Sequence, residues 1–86
     1  MKSFTYEIKD NVGIHARPAG LLVKQAGKFS SDIEIQTENG KKADAKRIFS
    51  VMGLGVKCGD TITVNISGSD EAVAETELCD FFKSTL

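Results

Sequence analysis

The chain has 86 residues, 41% of them hydrophobic and 27% charged, with a formal net charge of −1. That composition suits one small folded domain spanning residues 1–86 and argues against disorder. The balanced charge excludes a general nucleic-acid binder, which needs a basic stripe. No apolar run approaches the roughly 18 residues of a membrane insertion, and the charged start MKSFTYEIKD lacks the apolar segment of a secretion signal, so the expected location is the cytoplasm.

Ser3 to Ile8 alternates, with Phe4, Tyr6 and Ile8 on one side, and reads as a half-buried strand. Asn11-Val12-Gly13 breaks it. From Ala16 to about Gly27 the period becomes helical: Ala19, Leu22, Val23 and Ala26 form one stripe. Arg17, Gly20, Leu21, Lys24 and Lys28 fall on the opposite face. Pro18 suits the first turn, where its missing N–H costs nothing.

Ile33 and Ile35 alternate with Asp32 and Glu34 as a second strand, and Asn39-Gly40 predicts a type I′ hairpin turn with both residues at positive φ. A short strand over Lys41–Asp44 and a brief helix over Arg47–Gly53 follow. Asp60 to Ser67 is the clearest strand, with Ile62, Val64 and Ile66 on one face. Ser69 and Asp70 are cap candidates for a last helix whose stripe is Ala74, Leu78 and Phe81, widened by Phe82.

The element order β-α-β-β-α-β-α gives an α+β fold: an antiparallel sheet covered on one face by three helices. Right-handed crossovers suggest a strand order of 1-4-2-3, with other orders left open by pattern alone.

The chemistry-bearing residues are few. Cys58 and Cys79 are far apart and fit no metal motif, and in the cytosol they read as free thiols. With one histidine, no metal site and no cofactor are expected. Nothing resembles the nucleophile elbow of a serine hydrolase.

That single histidine, His15, precedes the first helix, followed by Ala16, Arg17 and Pro18. A lone histidine at such a place is commonly a cap or a surface residue. Here the neighbours favour a working role. The unpaired N–H groups of a helix start, with the helix dipole, make an anion site and disfavour an imidazolium. Arg17 is mildly unfavourable at that end unless an anion arrives, whose oxygens a guanidinium can then bind. Nucleophile, anion cradle and cation together read as a transient phosphohistidine site.

Gly13-Ile14-His15-Ala16-Arg17-Pro18-Ala19 resembles the signature of HPr, the histidine phosphocarrier family of the bacterial sugar phosphotransferase system. The resemblance runs on through Asn39-Gly40-Lys41, Ala45-Lys46, Ile48-Phe49, Leu54-Gly55 and Gly59-Asp60. It implies an open-faced β-sandwich and a carrier rather than a stand-alone catalyst. Such a carrier takes a phosphoryl group from enzyme I, charged by phosphoenolpyruvate, and passes it to IIA domains of sugar transporters. The acceptor would be Nδ1 of His15, with Arg17 holding the phosphoryl group. A carrier needs a docking patch around an exposed ring. Ala16, Leu21, Lys24, Arg47, Ile48, Phe49 and Met52 are the candidates, with Lys28 adding charge. From periodicity alone Ile48, Phe49 and Met52 suit a core equally well. The expected state is a monomer.

Two features depart from the family. The hairpin over Ile35–Gly40 looks one residue longer than usual, without expected effect on function. More consequential is Arg47, which stands where many HPr proteins carry a serine phosphorylated by HPr kinase. The regulatory serine is absent, and Ser50 reads as an ordinary helix serine. A second reading therefore stays open: an HPr-like regulatory or interaction module that binds a partner without phosphoryl turnover.

Overall fold

The computed structural model describes residues 1–86 except Val12 and His15. Its element order is β1 (Lys2–Glu7), α1 (Ala16–Ala26), β2 (Asp32–Thr37), β3 (Lys42–Asp44), α2 (Ile48–Met52), β4 (Thr61–Ser67) and α3 (Glu71–Thr85). The four strands form one antiparallel sheet of order β1-β4-β2-β3. This is the open-faced β-sandwich with the strand order expected from the crossovers.

Alternation in β4 decides which side is covered. Ile62, Val64 and Ile66 are buried, and they pair with Tyr6, Phe4 and Lys2 on one flank and with Thr37, Ile35 and Ile33 on the other. The residues between them build the opposite face. There Thr5 stands beside Thr63, and Asn65 Nδ2 donates to Glu34 Oε1 at 3.3 Å. The helices fill the apolar side. α1 buries Pro18, Ala19, Leu22 and Ala26, leaving Val23 half-buried.

In α3 the buried arc is Ala74, Leu78 and Phe82, while Phe81 is half-buried. The expected stripe had these two phenylalanines in reversed importance. At 3.6 residues per turn, Ala74 and Phe82 lie about 40° either side of Leu78, whereas Phe81 lies about 60° away. Phe82 is the aromatic centre, with Phe4, Tyr6 and Phe81 ring centroids at 5.8, 5.7 and 5.8 Å. Burial of such a ring contributes about 1.5–3 kcal/mol, and each well-placed aromatic pair about 0.5–1.5 kcal/mol more.

The hairpin differs from the type I′ expectation. Asn39 keeps negative φ, and only Gly40 is left-handed, at 90°. Gly40 N–H donates to the Thr37 carbonyl at 3.0 Å and Thr37 N–H to the Lys41 carbonyl at 2.8 Å. Glu38, Asn39 and Gly40 thus form a three-residue loop, where a type I turn followed by a left-handed glycine replaces the two-residue primed turn.

Asp70 also has a task other than the cap expected of it. It occupies the N-cap position of α3 but makes no side-chain cap bond. Its carboxylate instead accepts the Ser30 N–H at 2.9 Å, the Ser31 N–H at 3.0 Å and the hydroxyl of buried Ser31. Glu71 serves the helix start in its place, accepting the Gly68 N–H at 3.2 Å and meeting the Met1 amino group at 2.8 Å. Asp70 therefore ties the end of the α1–β2 loop to the start of α3.

The Ser31 hydroxyl first, and then the Ser30 N–H, hold the Asp70 carboxyl below its ordinary value of 3.8. Because the folded value is the lower one, ionised Asp70 favours the folded state above that ordinary value. The contribution disappears as pH falls through the depressed folded value. Asp70→Asn should consequently flatten the loss of melting temperature on titration from neutral pH to about 2, with Glu71, also held low, keeping part of the slope. Identical slopes for variant and wild type would show that the carboxylate's charge is not what the loop recognises.

Candidate functional site

The segment from Ile8 to Ile14 carries the chain out of β1 into α1, and remote parts of the sequence hold it. Ile8 N–H donates to the Asp60 carbonyl at 2.9 Å and Gly59 N–H returns to the Ile8 carbonyl at 2.8 Å. Lys9 and Asp10 N–H groups both donate to the Leu86 carbonyl, at 2.6 and 2.8 Å. Asp10 then turns the chain by accepting the Gly13 N–H at 3.0 Å, and Ile14 N–H reaches the Val56 carbonyl at 3.1 Å. Both Ile14 and Val56 are buried. His15, the expected acceptor, lies outside the described residues; its neighbours Ile14 and Ala16 do not.

α1 begins at Ala16, which is exposed, as is Arg17. No acidic residue occupies the first turn of this helix. Among the described residues, no ion pair engages the Arg17 guanidinium. Arg17 and Leu21 share a shallow depression with Asp10, Pro18 and Thr85. The start of α1 therefore presents an exposed cation at a helix end that carries no acidic side chain in its first turn.

Leu21 is 47% exposed, and Lys24, almost one turn further on, is exposed as well. Lys28 lies beyond the helix and donates to Gln25 Oε1 at 3.1 Å.

The remaining candidates sit on α2, which packs against α1. A Cβ added to Gly20 would meet Ile48 Cδ1 at 3.7 Å, so Ile48 fills the gap between the helices and is half-buried against the core. Phe49 is 84% exposed and Met52 38%, while Val51 and Leu54 are buried. A five-residue helix inserts one edge into the core, and its other apolar side chains remain in water.

Arg47 is the N-cap residue of α2, with no side-chain cap bond. The turn before it is built by Asp44, which accepts the Lys46 N–H at 2.9 Å through its side chain and the Arg47 N–H at 3.0 Å through its carbonyl. The Arg47 guanidinium lies 3.8 Å from Asp44 and stays largely in solvent. Such a pair contributes little.

Asp10, Val56, Thr85 and Leu86 were not legible as site neighbours, because nothing in their local pattern distinguishes them. Cys58 is exposed in the turn between Lys57 and Asp60, and Cys79 is half-buried; neither is paired. Among the described residues no cluster of metal-ligating side chains occurs, and no helix is long and apolar enough to cross a membrane.

A family profile described as the PTS HPr component phosphorylation site matches residues 2–84. The phosphocarrier protein HPr of Mycoplasma genitalium is 42% identical over 81 residues, which cover 92% of each chain. The solved structure of HPr from Thermoanaerobacter tengcongensis aligns with a TM-score of 0.91 at 45% identity, covering 98% of this chain and 93% of that one. A histidine-containing phosphocarrier protein from Mycoplasma aligns with a TM-score of 0.93 at 38% identity, over 98% and 94% of the respective chains. With the signature, the strand order and these relatives in agreement, the chain belongs to the HPr family of phosphocarrier proteins.

Proposed function

We propose that His15 accepts a phosphoryl group on Nδ1 from phosphorylated enzyme I and delivers it to IIA domains of sugar transporters. In the first step the Nδ1 lone pair forms the N–P bond as the bond from phosphorus to the donor breaks. In the second, that N–P bond breaks as the acceptor on the IIA domain attacks. No cofactor or metal takes part, and the carrier works in the cytoplasm as a monomer. The observation that carries this reading is an HPr-family chain whose His15 directly precedes, in sequence, the start of α1, where exposed Arg17 has no ion pair among the described residues. The first-turn N–H groups and the guanidinium face incoming phosphate charge with nothing acidic in that turn to oppose it.

Leu21, Phe49 and Met52 supply apolar contact for both partners, and Lys24 and Arg47 supply positive charge around it. The partner surfaces this suits are acidic at the rim and apolar at the centre.

Incubation with enzyme I and phosphoenolpyruvate should add one acid-labile phosphoryl group, absent in His15→Ala. Arg17→Glu should slow the transfer by about 10- to 150-fold, the equivalent of a charge-assisted hydrogen bond. Its melting temperature should barely change, since an exposed side chain has little packing to lose. A wild-type chain that binds enzyme I yet never gains mass would favour the binding module without turnover.

Phe49→Glu should weaken binding to enzyme I with a nearly unchanged melt, because the ring already stands in water. Ile48→Glu should instead lower the melting temperature, as it drives a charge between α1 and α2. Equal destabilisation by both would mean that Phe49 belongs to the core.

Arg47→Ser should raise stability by about 0.5–2 kcal/mol, since serine can cap α2 and arginine does not. HPr kinase with ATP should leave the natural chain unlabelled. Stoichiometric phosphate on Ser50, three residues on, would show that serine control is retained in another place.

A further inference from the structure

Between β1 and α1 one backbone crossing leaves no space for a side chain. A Cβ placed on Gly13 would lie 2.3 Å from the Val56 carbonyl oxygen and 2.6 Å from Lys57 Cα. Both are backbone atoms, so no rotamer change relieves the overlap. Gly13 also has φ of 78°, a conformation that other residues rarely adopt. The next residue fixes the crossing further, because Ile14 N–H donates to the same Val56 oxygen and its side chain is 6% exposed.

Four and five residues after Ile14, Pro18 and Ala19 of α1 are both buried. His15 is thus the one residue in sequence between a seated Ile14 and the first residue of a seated helix. The seat itself is held in place, since the turn after Val56 is bonded back to Ile8, just past β1, through Gly59 and Asp60. Lys57 N–H donates to Asp60 Oδ2 at 2.9 Å, closing that turn on itself.

We propose that the Gly13–Val56 crossing is a positioning element for His15. Gly13 has no side chain with which to take part in the phosphoryl transfer itself. It lets the chain descend onto the 56–60 turn, and Ile14 transmits that depth to the histidine one residue later. The proposal rests on the phosphocarrier reading for its kinetic consequence, although not for its geometric one. A displacement of a reacting group on the order of 1 Å can cost about 100-fold in rate, so a crossing held by backbone contact is a suitable means of control.

The test compares Gly13→Ala with Gly40→Ala and Gly55→Ala. The controls have φ of 90° and 66° with no atom within 4 Å of the added Cβ, so they report the left-handed strain without the clash. His15 is the only histidine, which makes its ring resonances unambiguous in NMR spectra of the whole chain. Gly13→Ala should shift those resonances and the pH midpoint of the ring. It should also slow phosphorylation by enzyme I about 10- to 100-fold, with a nearly unchanged KM for enzyme I. Both controls should lose only stability. Should Gly13→Ala fail to fold, an ester in place of the Gly13–Ile14 amide deletes the donor to Val56 without adding an atom near it, and the same two readouts apply. Wild-type ring resonances, or wild-type rates, in the folded variant would overturn the proposal. If the wild-type chain takes no phosphoryl group at all, the phosphocarrier reading fails, and the ring spectrum alone decides the positioning claim.

Discussion

The structure depends on β4 being paired on both sides. A strand last in sequence yet central in the sheet forces β1 and β2 to lie apart with β4 between them. The chain entering β4, residues 56–60, must then run beside the chain leaving β1, residues 8–14. The end of α3 returns to the same edge, where Leu86 takes the Lys9 and Asp10 N–H groups. The site segment therefore has neighbours about 45 and 75 residues away because of strand order alone.

The second constraint is that only one face of the sheet is apolar. Phe82 with its ring of aromatic neighbours, the α1 stripe and the β4 isoleucines and valine close a single layer of core. Nothing is left over to build a second layer around a substrate. Chemistry proposed for such a scaffold would take place at its surface, with the partner supplying whatever shielding from water the reaction needs.

What was readable in advance were the periodicities. Alternation in residues 60–67 and the helical stripe of residues 19–26 each report one face of one element, and a local pattern suffices for that. The Phe81–Phe82 choice failed because the two lie on opposite flanks of Leu78 with offsets that differ by only about 20°, so which one is buried depends on how α3 settles on the sheet. Asn39-Gly40 misled because a dipeptide preference cannot show loop length, and one added residue exchanges one turn type for another. Asp70 was read as a cap, a local role, whereas its partners lie 39 and 40 positions away. The signature around His15 was legible as a motif. The backbone groups of Val56 and Leu86 that seat this region carry no side-chain signal at all.

The small extent of apolar surface on α1 and α2 bears on how a carrier spends its time. Leu21, Phe49 and Met52 are the large exposed hydrophobic residues of α1 and α2. If donor and acceptor both use this face, the first has to leave before the second arrives. With association at about 10⁶ per molar per second, a complex that turns over a hundred times each second can have a dissociation constant no tighter than about 100 μM. A broad, fully apolar interface would exceed that affinity and stall the relay on its first partner. Sparse contact is thus a kinetic asset: residence time, rather than strength of grip, sets the traffic such a surface can carry.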